Sequence, residues 1–201
     1  MSSPAKLAHV VLYTEKLEQM RAWYLRVLDA HVVHENPSTV FLTYDEEHHR
    51  IAIADLRESA QAYDPGSVGE LPPHTGPAPE APAVQGPLAA LAGPPTGLGH
   101  IAFTFNSLDE LLDNFGRLRQ EGIVPVLTIN HGTTTSLYYK DPDGNKIELQ
   151  IDNFDTVAEG VKFMESESFA KNPIGVLFDP DQLIRRRRAG EIPSEIVAPT
   201  W

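Results

Sequence analysis

"LGHIAFTF" spans residues 98–105, and "LAHVVLYT" spans residues 7–14. Both are apolar runs of strand length with a histidine in third place, and they lie 91 residues apart. At that offset residues 7–33 align with 98–124 without a gap. Identities fall at Leu7/Leu98, His9/His100, Leu17/Leu108, Arg26/Arg117 and Val33/Val124, and conservative pairs at Met20/Leu111 and Tyr24/Phe115. Two copies are too few for a solenoid, so the sequence reads as a duplicated module.

Each copy has the same grammar. After the first strand, Leu17, Met20, Tyr24, Val27 and Leu28 recur at helical spacing, as do Leu108, Leu111, Leu112, Phe115 and Leu118. Ser107 and Glu110 have the spacing of a capping box at the start of the second helix. Second strands are expected near 31–35 and 122–128. Two more follow in each copy, near 39–44 and 50–55, then 133–140 and 145–151. The last pair is joined by Asp141-Pro142-Asp143-Gly144, where proline presets φ and glycine accepts a positive one. The module is β-α-β-β-β, twice. The fold class expected is therefore α+β, with two paired βαβββ modules.

The chain divides as 1–59 for the first module, 60–97 for a linker arm, 98–152 for the second module and 153–201 for a C-terminal helical extension. The arm holds nine of the seventeen prolines, which argues against a core element. In the extension, 155–171 and Asp179–Ala189 read as helices. The run Arg185–Arg188 reads as a solvated helix end beside Asp179, Asp181 and Glu191 rather than a phosphate or membrane patch.

Composition narrows the class. Of 201 residues 41% are hydrophobic, enough for a core, and the net charge is −12 with pI near 5.0. Such a surface repels phosphate, so neither nucleic acid nor a membrane is an expected partner. With no cysteine, disulfides and thiolate metal sites are excluded. No segment approaches the length of a membrane span, and the start lacks a signal-peptide run. A cytoplasmic protein, assembled as a homo-oligomer, is expected.

Strand alternation separates two faces. Leu98, His100 and Ala102 share one, and Lys146, Glu148 and Gln150 share another, opposite the apolar Ile147, Leu149 and Ile151. A histidine alone in a sheet is ordinarily a hydrogen-bonded residue without chemistry. Glu148 on an apolar strand is harder to dismiss, because buried carboxylates are rarely left unpaired. If the two modules pair about a pseudo-two-fold axis, His9, His100 and Glu148 meet across one cleft. Two imidazoles and a carboxylate with open positions form the donor set of non-haem Fe(II) enzymes.

The motifs HVVLYT, GHIAFTF and YYKDPDGNKIELQ resemble those of the vicinal oxygen chelate superfamily, which includes glyoxalase I, bleomycin-resistance proteins and type I extradiol dioxygenases. The spacing Tyr138, Pro142, Gly144, Glu148 resembles the extradiol signature. The resemblance, closest to the one-domain extradiol type, implies that the two modules form an open, incomplete β-barrel around a metal cleft, with His9, His100 and Glu148 as metal ligands and Tyr138 as a hydroxyl that hydrogen-bonds the bound substrate. It implies Fe(II), with Mn(II) or another divalent metal as alternatives, and ring cleavage of a catechol-like aromatic diol by O₂. The catalytic histidine of the family has its nearest candidate in His131, seven residues before Tyr138. Glyoxalase-like sites take a fourth ligand from the last strand of the other module. Aligning Arg50-Ile51-Ala52 on Lys146-Ile147-Glu148 puts Ala52 there, which favours the dioxygenase, unless the hairpins slip and bring in Asp55. His48 and His49 are expected to be solvated, and His31, His34 and His74 carry no functional assignment. The alternatives are a metal-dependent lyase or isomerase of the same superfamily, and a protein that only binds a small aromatic ligand.

Overall fold

In the computed structural model, which describes residues 3–55 and 97–201, the two aligned stretches become the first strands of two mixed sheets. The described residues form two compact units, 3–55 with 141–144 and 97–140 with 145–201. Residues 60–96 of the expected arm, His74 among them, lie outside the described residues.

The first unit runs β1 (Val10–Tyr13), α1 (Leu17–Val27), β2 (His31–Asn36), β3 (Thr39–Thr43) and β4 (Ile51–Ala54). Its sheet has the order β1-β4-β3-β2, with β1 and β4 parallel and the other pairs antiparallel. The helical spacing read in the sequence is what buries Met20, Tyr24 and Val27, which join Leu42, Ile51 and Ile53 of the sheet in the core. Each such side chain stabilises the unit by about 2 kcal/mol. The 141–144 turn belongs to this unit: Tyr24 donates to Asp141 Oδ2 (3.0 Å), and Lys16 pairs with Asp143 (3.1 Å). Within the turn the Gly144 N–H reaches the Asp141 carbonyl, at a φ of 89° that a side chain would disfavour.

The second unit repeats the plan with β5 (Ile101–Thr104), α2 (Leu108–Gln120), β6 (Leu127–Asn130), β7 (Thr134–Lys140) and β8 (Lys146–Asp152). β6 begins later than the periodicity suggests, because Pro125 has no N–H to give to a ladder. Ser107 caps α2 by accepting from the Glu110 N–H (3.2 Å), but only half the expected box forms. The Glu110 carboxylate accepts instead from Asn106. The reciprocal box stands elsewhere, at Thr156 and Glu159, and starts α3 (Val157–Met164).

The extension is more structured than two helices. The expected helix over 155–171 breaks at Ser166, whose backbone turns extended and whose hydroxyl caps α4 (Glu167–Lys171). A strand not foreseen, β9 (Val176–Leu177), pairs with β6 and gives the order β5-β8-β7-β6-β9. Then come α5 (Pro180–Arg188) and α6 (Pro193–Val197). The arginine run is neutralised locally: Arg185 pairs with Asp179, Arg186 with Glu191, and Arg187 with Asp109 of α2 (2.7 Å). Arg119 and Asp181 add a second clip between α2 and α5 (2.6 Å). Neither sheet closes on itself. Among the described residues no helix is long and apolar enough to cross a membrane.

Candidate active site

The chemistry of the second unit gathers on β8. Glu148 sits in this inner strand, opposite Ala102 of β5 on one side and Tyr138 of β7 on the other. Its sequence neighbours Ile147 and Leu149 are fully buried, and the carboxylate is itself only 5% exposed. A charged group so placed demands a partner. It has one in His100, whose Nε2 lies 2.8 Å from Glu148 Oε2. His100, just before β5, is 41% exposed, so the pair has a buried oxygen end and an accessible imidazole end.

Tyr138 completes the group. Its ring meets that of His100 edge-on at 5.4 Å. Burial, then the negative charge of Glu148 and a hydrogen bond to it, hold the Tyr138 hydroxyl well above the usual phenolic range. The hydroxyl is therefore a donor that keeps its proton. On its other side His131 Nε2 approaches to 3.1 Å. His131 follows β6 directly, and its loop is pinned: its own N–H donates to the Thr134 carbonyl, while Asn130 Oδ1 accepts from Gly132 and Asn153. Four of the five site residues read from the sequence thus share one unit and one face of its sheet.

The fifth, His9, belongs to the first unit. The chain leading to it is held by Arg50, whose guanidinium donates to the carbonyls of Leu7 (2.8 Å) and Ala8 (3.0 Å) and is steadied by Asp45. The expectation that His48 and His49 are both solvated holds only for His48. The His49 ring lies 4.4 Å from the His9 ring and 5.0 Å from Phe41. Its Nδ1 is 2.6 Å from His48 Nδ1. Burial and the two neighbouring imidazoles push the pKa of His49 down. Sequence reading missed His49 because the acidic residues around it read as a solvated turn. The available signal was Arg50, one residue on, which pairs with Asp45 of that turn.

The register also fixes where the first module's counterpart of Glu148 lies. Val11 and Ala102 are equivalent under the repeat. Val11 pairs with Ala52 as Ala102 pairs with Glu148. The position is Ala52, and Asp55 lies beyond the end of β4. No carboxylate answers Glu148 there.

The donor set in the second unit suits a divalent cation. A metal-ligating imidazole must present a lone pair, and His100 and Glu148 are the residues of this unit that would hold a divalent ion. Imidazole with carboxylate accommodates iron, manganese or zinc alike. Within either unit, among the described residues, no three histidine, aspartate or glutamate side chains form a complete cluster, so the second unit contributes a pair.

Known proteins resemble the chain in sequence and in fold. The chain is 40% identical to biphenyl-2,3-diol 1,2-dioxygenase 2 of Rhodococcus globerulus, across the whole chain and 91% of that protein. It is 43% identical to biphenyl-2,3-diol 1,2-dioxygenase 3 of the same organism, across the whole chain and 92% of that protein. The fold is shared with a lactoylglutathione lyase from Agrobacterium tumefaciens, at a TM-score of 0.53 and 19% identity, over 75% of this chain and 96% of that one. The family model that matches, over residues 6–149, carries the description glyoxalase/bleomycin resistance protein/dioxygenase superfamily. By sequence over its full length and by the fold of both modules, the chain belongs to that superfamily.

Proposed function

We propose that the chain opens the ring of a catechol-like aromatic diol at an iron(II) ion held by His9, His100 and Glu148. It is an extradiol ring-cleaving dioxygenase by its likeness to the two Rhodococcus enzymes. Opening a 2,3-diol across carbons 1 and 2 cuts the ring beside the diol, not between its hydroxyls. A biphenyl-2,3-diol is therefore the first substrate to offer. The observation that carries the reading is the carboxylate of Glu148, buried in an apolar strand and matched to a half-exposed imidazole.

The metal, when bound, supplies Lewis acidity toward the diol and the route for electrons to O₂. The chain's own residues supply the rest. Tyr138 hydrogen-bonds a substrate oxygen and fixes the ring's orientation. His131, in hydrogen-bond reach of Tyr138, receives the proton that the diol gives up. Buried Ile147 and Leu149 keep water from the far side of β8. His9 brings the third donor from the first module, with His49 against its ring. The four-ligand arrangement of a lyase is disfavoured, because the methyl group of Ala52 offers no lone pair.

Oxygen uptake tests this. Protein loaded anaerobically with Fe(II) should consume O₂ on addition of 2,3-dihydroxybiphenyl and form a yellow ring-fission product. Tight binding of the diol with no O₂ consumed would instead identify a binding protein, and turnover of a hemithioacetal without O₂ a lyase.

A further inference from the structure

The C-terminal extension lies outside the duplicated module, yet one turn of it reaches the site. We infer that the Asn172–Gly175 turn is a positioning element for His131: its Ile174 carbonyl keeps the ring proton on Nδ1 and leaves Nε2 as the basic nitrogen facing Tyr138. This rests on the reading of His131 as the proton acceptor.

The contact is direct. His131 Nδ1 lies 2.6 Å from the Ile174 carbonyl oxygen, and His131 Nε2 lies 3.1 Å from the Tyr138 hydroxyl. A carbonyl only accepts, so Nδ1 must carry a proton. In a neutral imidazole the other nitrogen then has a free lone pair, and it points at Tyr138. The Tyr138 proton has two acceptors in reach, His131 Nε2 and the Glu148 carboxylate. With Nε2 basic, a diol proton can pass to the Tyr138 oxygen as the tyrosine's own proton passes to Nε2. The diol loses one proton, Tyr138 is unchanged, and His131 becomes an imidazolium that donates to both Ile174 and Tyr138. With the opposite tautomer Nε2 has no lone pair, and this path is closed.

The turn is built for that contact. Asn172 Oδ1 accepts from the Gly175 N–H, and Asn172 Nδ2 donates to the Gly175 carbonyl, both at 2.9 Å. Beyond it, β9 fastens the segment to β6 through the pairs Asn130 with Val176 and Ile129 with Leu177. Gly175 lies flat on the residues before the histidine. A Cβ there would overlap the Asn130 carbonyl oxygen and stand 2.8 Å from His131 Cα, and its φ of 104° excludes most side chains besides. The glycine is what lets Ile174 come close enough to reach Nδ1.

The test is ¹⁵N NMR of the full-length, histidine-labelled protein at about pH 8, where an ordinary imidazole is neutral. Wild-type His131 should show a protonated Nδ1 and a bare Nε2. Asn172→Ala, which adds no atoms, should shift it toward the other tautomer and lower kcat by about tenfold with KM little changed. Gly175→Ala should do so more strongly. Should that variant not fold, Asn172→Ala carries the measurement, and Asn172→Asp, which keeps the Oδ1 acceptor, should restore the wild-type tautomer. A protonated Nε2 in the wild type, or an unaltered tautomer in Asn172→Ala, overturns the inference. Failure of the proton-acceptor reading looks different: His131→Ala would keep full kcat while the wild-type spectrum still showed the Nδ1-protonated ring.

Discussion

The two modules share a frame and divide the chemistry. Both place a histidine just before the first strand, 91 residues apart, and both run a parallel first and last strand side by side. At the centre they part. In the second module Glu148 lies between Ala102 and Tyr138. In the first, the equivalent Ala52 lies between Val11 and Phe41. Carboxylate has become methyl, and phenol has become phenyl. What a sheet register repeats is a position. The chemistry at that position is free to be kept on one copy and dropped from the other, once one copy suffices to complete a site. His49 is the converse case: the first module packs an imidazole on its own histidine, and by the register that equates Ala52 with Glu148 the second module has Asn145 at that position.

The sharpest way to break the comparison is to give the second module the residue of the first. Glu148→Ala should fold, since the apolar faces of Ile147 and Leu149 are untouched and a buried charge is removed. Metal affinity should fall by more than about 100-fold, the upper end for losing even an indirect partner of a metal site. Ring cleavage should go with it. Iron content after anaerobic loading, set beside O₂ uptake, reads both. Wild-type iron in this variant would mean that the carboxylate donor lies elsewhere.

Much of this was legible in the letters. The repeat, the helical stripes and the Asp141–Gly144 turn are set by local pattern, and each forms where its pattern places it. So does the grouping of His100, Glu148 and Tyr138, because strand alternation and a motif of fixed spacing put them on one face. Less legible were features decided by contacts remote in sequence. Glu110 turns to Asn106, whose backbone N–H and side-chain amide both donate to its carboxylate. β9 forms because β6 had an open edge, which no local pattern in Val176–Leu177 announces. Ile174 reaches His131 across 43 residues by a carbonyl, and backbone groups leave no mark in a sequence.

A subtler exchange concerns the phenol. Tyr138→Phe gives the second module the aromatic residue that Phe41 supplies in the first. The ring still packs against His100, and the metal donors are unchanged. Iron content should therefore match the wild type. The hydrogen bond to substrate and the link to His131 are lost, so kcat should fall by about 100-fold, the scale of one general acid–base group. A rise in KM alone, with kcat preserved, would show that the hydroxyl only binds and moves no proton.

The smallest effect separates frame from chemistry at the helix starts. α1 begins at Lys16 with no side-chain cap, whereas α2 begins at Ser107, whose hydroxyl accepts the Glu110 N–H. Ser107→Ala makes the second start resemble the first and should destabilise the protein by about 1 kcal/mol. Part of that loss is offset, because the Glu110 carboxylate stays bonded to Asn106 and still faces the positive end of the helix. Urea unfolding should show a lower midpoint with an unchanged slope. O₂ uptake below the transition should be that of the wild type, since Ser107 lies at the far end of β5 from His100 and α2 supplies no group to the site. A loss of activity larger than the loss of stability would mean that α2 sets the position of β5, and that frame and chemistry in this module are not separable.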